Sequence, residues 1–267
     1  ELVNKVVEEV SKNSTEEKQT LSAQVLKAIV DTEPNKLEII SDDLKDTMIK
    51  QTIESAQNQQ EGKGTEVSED MTSIVSDIIV NTNTETGSKI IEELNNTETE
   101  SNLSLKVISD ISEKDTTKLN TLSENNKEQI EKLTETAIKN ADASEESAQL
   151  IAKVVDKAND EIANKVINEV TKNSVDNKEA LSAKVMKSIV SINPDKIENL
   201  SDENKDTIIQ QTIKAAKNQN ENKNDNNDDL ADVIADIIVD ADAGTSGKLI
   251  QELDKTELDE KSDLNLS

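Results

Sequence analysis

The chain has 267 residues and a formal net charge of −27, from 57 acidic and 30 basic side chains. Its hydrophobic content is 33%, with no Phe, Trp, Tyr, Cys or His. These facts exclude disulfides, thiolate or imidazole metal ligation, and nucleophilic catalysis through a Cys–His or Ser–His–Asp arrangement. The charge argues against binding phosphate backbones, which need Lys and Arg neutralisation, and against anionic membrane surfaces. No apolar run approaches the roughly 20 residues of a membrane span.

The first expected element is a helix from Glu1 to Asn13, with Leu2, Val6 and Val10 four apart and Val3 and Val7 beside them. The second opens at Ser14, where Glu17 three residues on reads as a capping box, and carries the stripe Leu21, Val25, Ile29. A short turn follows Pro34, with Leu37 and Ile40. Ser41 is then placed as the N-cap of a helix carrying Leu44, Met48, Ile49, Thr52, Ile53 and Ala56. After a loop from Gln59 to Ser68, a fifth helix carries Met71, Ile74, Val75, Ile78 and Ile79.

The same five elements return twice. Residues 1–60 and 161–220 share 32 identities in 60 positions at a constant offset of 160, which marks an internal repeat. The first-helix pattern recurs at Ile90, Ile91, Leu94, at Ile162, Val166, Val170 and at Leu249, Ile250, Leu253; the second-helix stripe recurs at Leu103, Val107, Ile111 and at Leu181, Val185, Ile189. Asn193 before Pro194 reads as an N-cap, Asp115-Thr116 stands at that place in the middle copy, and Ser123 and Ser201 match Ser41. The fifth helix recurs at Leu150, Ile151, Val154, Val155, after the short connection Asp142-Ala143-Ser144, and at Leu230, Val233, Ile234, Ile237, Ile238.

The expected fold is an all-α, right-handed-type α-solenoid of short helices. Its units of about 80 residues hold five helices each, within a 160-residue higher-order repeat. The boundaries fall at 1–84, 85–160, 161–243 and 244–267, the last being the start of a fourth unit, and the chain reads as a window cut from a longer array. Low hydrophobicity with high charge is also the signature of disorder. Apolar stripes kept in helical register through three copies decide for a folded chain.

Candidate chemistry is thin. Asp225-Asn226-Asn227-Asp228-Asp229 is oxygen-rich, but counting from Asp225 puts Leu230 and Asp236 where a helix–loop–helix calcium loop needs Gly and Glu. Asp77 and Asp236 sit inside apolar runs and fall on the solvent side or its border; Thr52 and Thr212 lie within the apolar stripe, where a hydroxyl bonds back one turn. The tripeptides starting at Asn13, Asn95 and Asn199 fit the glycosylation pattern but carry little weight in so Asn-rich a chain. Everything distinctive occurs two or three times, which argues against catalysis, so no catalytic, cofactor or metal residue is assigned and no cofactor is expected.

The expected function is a structural repeat segment of a longer acidic surface or filament protein, a spacer or fibre subunit associating head to tail, with an extracellular or cell-surface place weakly favoured. The alternative is a helical-repeat scaffold for a protein partner; neither nucleic acid nor membrane insertion is expected. Leu2, Val3, Val6, Val7 and Val10 at one end, and Leu249, Ile250, Leu253, Leu264 and Leu266 at the other, are expected to lack a covering helix. A net charge of −27 repels itself, so added salt should raise the melting temperature followed by circular dichroism, with no specific cation stoichiometry. Calorimetry showing an integral number of tight calcium sites would contradict this.

Overall fold

The computed structural model describes residues 2–12, 15–63, 70–97, 102–172, 178–221 and 230–263. The fold is all-α: among the described residues every regular element is helical and none is a strand. The chain divides into two compact units, Glu1–Ala141 and Asp142–Ser267.

The first unit holds α1 (Leu2–Ser11), α2 (Glu16–Thr32), a 3₁₀ turn (Pro34–Ile39), α3 (Asp42–Gln60), α4 (Met71–Asn81), α5 (Thr84–Asn96), α6 (Leu103–Lys114), α7 (Thr116–Asn125) and α8 (Lys127–Asn140). The long α2 and α3 pack on each other, α1 lies against both, and α4 is held between α2 and α6. The apolar side chains of the core are all non-aromatic, with Leu26, Met48, Ile53, Met71, Ile78, Ile79, Ile91 and Leu94 among those fully buried. Each contributes about 1.5–3 kcal/mol on burial, so many short stripes are needed to offset chain entropy. The second unit holds α9 (Glu145–Lys157), α10 (Asp160–Lys172), α11 (Lys178–Ile192), α12 (Asp195–Glu198), α13 (Asp202–Glu221), α14 (Leu230–Asp240) and α15 (Ala243–Asp263). Its centre is α11, packed against α9, α13 and α14; α10 lies against α9, α11 and α13.

Helix ends differ from the expected caps in several places. The Ser14 capping box lies outside the described residues; α2 begins at Glu16, with Thr15 at its N-cap and no side-chain bond. Ser201 Oγ accepts the Asn204 N–H at 3.3 Å as expected; Ser41 holds the N-cap position of α3 as expected, but through its carbonyl, which accepts from Leu44 and Lys45, and not through its side chain. Ser123 is no cap at all. Asp115 accepts the amides of Thr117 and Lys118 at 2.9 and 3.2 Å, and the helix so nucleated, α7, runs through Ser123 to Asn125. Asn193 does not cap either: its amide donates to Asp156 Oδ1 at 2.8 Å, and Pro194 takes the capping position. At the end of α3, Gly62 adopts φ +65, the left-handed conformation a Cβ disfavours, which lets the Lys63 N–H reach back to the Asn58 carbonyl at 2.9 Å.

A buried polar clamp fixes the three-helix seam of each unit. In the first, Ser22 Oγ donates to Gln51 Oε1 at 2.5 Å, and Gln51 Nε2 donates to the Ser11 carbonyl at 3.0 Å, tying α1, α2 and α3. In the second, Ser182 donates to Gln211, whose amide donates to the Thr171 carbonyl at 2.7 Å, tying α10, α11 and α13. Gln51→Leu strands the buried Ser22 hydroxyl and should cost about 1–3 kcal/mol in chemical denaturation; adding Ser22→Ala should recover part of that loss, because both polar partners are then gone.

Candidate interaction surface

Most of the side chains singled out in the sequence make contacts within the fold where the structure describes them. Asp77 accepts from Lys114 at 2.9 Å and Lys27 at 3.4 Å, pinning α4 between α6 and α2; Asp236 pairs with Lys187 at 3.0 Å, joining α14 to α11. Thr52 Oγ1 donates to the Met48 carbonyl at 2.7 Å and Thr212 Oγ1 to the Ile208 carbonyl at 2.8 Å, one turn back in each helix. The acidic stretch 225–229 lies outside the described residues, as does Asn13. Asn95 is half-buried, its amide donating to the Gln129 carbonyl at 2.9 Å, while Asn199 is exposed. Among the described residues no cluster of three or more acidic side chains is placed to hold a metal ion, and no helix is long and apolar enough to cross a membrane.

What stands out is how differently matching positions are covered. Asn4–Val10 aligns with Ser88–Leu94, Asn164–Val170 and Gly247–Leu253. Each of these helices carries two adjacent apolar residues. The first of the pair is buried as Ile90, Val166 and Leu249 but 49% exposed as Val6; the second is buried as Val7, Ile91 and Ile167 but 47% exposed as Ile250. The expected open ends are therefore half right. Val7 and Leu249 are closed by their own neighbours, Val3, Val10 and Leu253 are half-buried, and Leu264 and Leu266 lie outside the described residues, as does the Leu2 side chain.

The larger open surfaces lie on neighbouring helices, which the sequence reading missed. Leu21 on α2 is 42% exposed, against 1% and 2% for its equivalents Leu103 and Leu181. Val25 and Ile29 are half-buried, whereas Val107, Ile111, Val185 and Ile189 are fully buried. The covering helices are α4 for α6 and α9 for α11. On α14, Ala235 is exposed and Ile238 half-buried, whereas the matching Ser76 and Ile79 of α4, and Ala152 and Val155 of α9, are buried. So α2 with Val6 forms one open face and α14 with Ile250 another. Each is the uncovered half of a contact that is closed elsewhere in the chain.

A lysine marks the closed contacts. Lys118 donates to the Thr82 carbonyl at the end of α4, and Lys196 to the Ala158 carbonyl at the end of α9 at 3.1 Å. Burial pushes the Lys118 ammonium below the ordinary lysine range, opposed by nearby Asp115. The equivalent lysine on the first open face, Lys36, pairs with Glu33 at 2.5 Å, and the equivalent carbonyl on the second, of Ala241, accepts from Ser246 Oγ at 3.3 Å. The signal was present in the sequence as Lys36, Lys118 and Lys196 at one place in the three copies.

Two shallow polar grooves share a pattern. One, of about 240 Å³, lies between α3 and α5 and is lined by Asp46, Ile49, Lys89 and Glu92; the other, of about 350 Å³, lies between α13 and α15 and is lined by Asp206, Ile209, Lys248 and Gln251. An aspartate–lysine ion pair lines each, at 3.2 and 2.8 Å. The chain matches no protein-family model, no curated protein and no solved structure.

Asp110 on α6 supplies a test of the closed contact. Burial raises its carboxyl above the ordinary value of 3.8; Lys114 at 3.6 Å opposes this, and the charges of Asp70 and Glu113 add to it. A raised carboxyl binds its proton more tightly in the folded state, so its stabilising contribution is full at low pH and lost as pH rises through the raised pKa. Asp110→Asn should therefore raise the melting temperature at neutral pH, and the gain should vanish on acidification below the ordinary carboxylate range.

Proposed function

We propose that the chain is a structural repeat segment of a longer acidic surface or filament protein, a spacer or fibre subunit without catalytic activity. Its helices stack as a right-handed-type α-solenoid of units of about 80 residues, in pairs repeating at 160. One observation carries this reading: identical stripes are closed inside the chain and open on α2 and α14, as Leu21 and Leu181 show. Two faces that are each the missing half of the other support growth in one direction, and a contact of that kind that does not close on itself makes filaments. The element order supports it too, because the contact of α4 with α6 is matched by that of α9 with α11. The absence of aromatic residues fits a protein whose surfaces meet copies of themselves, since strong binding sites for other proteins usually rely on Trp, Tyr or Arg anchors. The matching grooves at Asp46–Lys89 and Asp206–Lys248 favour a second reading, a scaffold holding a partner at regular intervals.

Sedimentation velocity tests the first reading. The wild-type chain should form progressively longer species as concentration rises. Leu21→Asp on one face and Ile238→Asp on the other should each weaken this by about tenfold or more, since each places a charge in an apolar contact. Mixing the two variants should restore a single joint and stop at the dimer, because each retains one intact face. Variants that still grow, or a mixture that stays monomeric, would overturn head-to-tail stacking.

A further inference from the structure

We propose that, when two copies of this chain meet, α15 of one displaces α1 of the next, so that assembly proceeds by exchange of an equivalent helix. This rests on the head-to-tail reading above and adds to it the step by which the joint closes.

The closed contacts define the joint. Where α9 packs on α11, one helix, α10, lies against both, and where α4 packs on α6, one helix, α5, follows α4. In each case both apolar positions of the accompanying helix are covered: Ile90 and Ile91, Val166 and Ile167. Bringing α14 of one copy onto α2 of another in the same geometry supplies two such helices for one place. The helix α15 arrives with α14, its Leu249 already buried and its Ile250 open; α1 is already seated against α2 and α3, its Val7 buried and its Val6 open. Only one can stay.

The side chains decide which. The pair enclosed in closed contacts is Ile-Ile in α5 and Val-Ile in α10; α15 offers Leu-Ile, whereas α1 offers Val-Val, the smallest of the four. One turn on, α15 has Leu253, as α5 has Leu94, while α1 has Val10, as α10 has Val170. The α1 helix also carries a polar defect. In α10, Asn164 Oδ1 accepts from the Ser201 N–H at 2.7 Å and from Asn204 Nδ2 at 2.9 Å. The residue matching Asn204 in the first unit is Leu44, and Asn4 Oδ1 is buried without a hydrogen-bond partner, although its amide donates to the Ile39 carbonyl at 3.2 Å. A buried unsatisfied oxygen is a penalty removed when the helix leaves. At that position α15 has Gly247, which brings no polar side chain into the place, and a Cβ there would meet nothing within 4 Å. Seating α15 buries Ile250 where Ile91 and Ile167 are buried in the closed contacts, and brings Lys36 of one copy to the Ala241 carbonyl of the other, as Lys118 and Lys196 meet Thr82 and Ala158.

The test is hydrogen exchange of the full wild-type chain across a concentration series, with self-association followed in parallel by sedimentation velocity. As copies associate, amide protection in residues 2–11 should fall and that in residues 243–255 should rise. Protection rising in both segments, or falling in α15, overturns the exchange while leaving head-to-tail stacking in place. No association at any concentration removes both. Two variants give a second reading of the same step. Val7→Asp loosens α1 without touching the α14 face, and should lower the concentration needed for assembly by about tenfold or more. Ile250→Asp should raise it by a similar factor. The reverse pattern, in which Val7→Asp blocks assembly and Ile250→Asp does not, would show that α1 keeps the place and would overturn the proposal.

Discussion

A short aliphatic helix with apolar residues on two sides can be buried only by neighbours on both sides, and this constraint governs the whole molecule. With no aromatic side chain available, no single residue can close a large gap, so each helix relies on several Ile, Leu, Val and Ala contacts from two directions. The consequence is visible in α4, whose Ser76, Ile78 and Ile79 are all buried because α2 lies on one side and α6 on the other. Remove one neighbour and the same pattern, in α14, leaves Ala235 exposed and Ile238 half open. Stability, and the assembly proposed above, therefore draw on one kind of contact.

Polar groups add direction to contacts that are otherwise interchangeable. Aliphatic stripes pack in more than one register at similar energy, since shape alone discriminates weakly among Ile, Leu and Val. The Ser–Gln–carbonyl clamp sets how three helices meet, because Gln51 meets the Ser22 hydroxyl with its oxygen and, with its nitrogen, a backbone carbonyl of the helix seated in the place of α1. The lysine reaching from Lys196 to the Ala158 carbonyl does the same between α9 and the turn that follows α11, adding a cation at a helix C-terminus, where the dipole favours it.

Much of the fold was legible in the sequence and the cover of each residue was not, for a definite reason. Helical spacing is a property of one segment, so the stripes of α2, α6 and α11 could be read directly. Exposure is a property of two segments: Leu21 and Leu181 sit in the same local sequence, Leu-Ser-Ala, yet differ because α9 lies on one and no equivalent helix on the other. Caps failed where two local signals competed. Ser123 with Glu124 has the form of an N-cap, but Asp115 starts a helix strong enough to run through it, and Asn193 spends its side chain on Asp156, a residue far away in sequence. The clamp at Gln51 was missed because a glutamine inside an apolar stripe has no meaning until its two partners are placed. Its identical recurrence as Gln211, with Ser22 and Ser182 alongside, was the available clue.

The differences between α2 and α6 bear on how strong the proposed joint between copies can be. In the contact of α4 with α6, Asp77 is met by Lys114. The helix α14 carries the matching Asp236, but α2 has Thr32 at the place of Lys114; the sequence of α2 is closer to that of α11, which has Ile192 there, than to that of α6. A joint made by α14 on α2 thus keeps the apolar part of the contact and loses its ion pair. An exposed ion pair is worth little, about 0–1 kcal/mol, and the open apolar residues on the two faces outweigh it several times over. Against the proposed joint stand the long-range repulsion between two chains of −27 each, which salt screens, and, in the proposed exchange, the displacement of a seated helix. The two proposed barriers differ in kind: salt lowers the first by screening charge, whereas the second depends on how firmly α1 is packed.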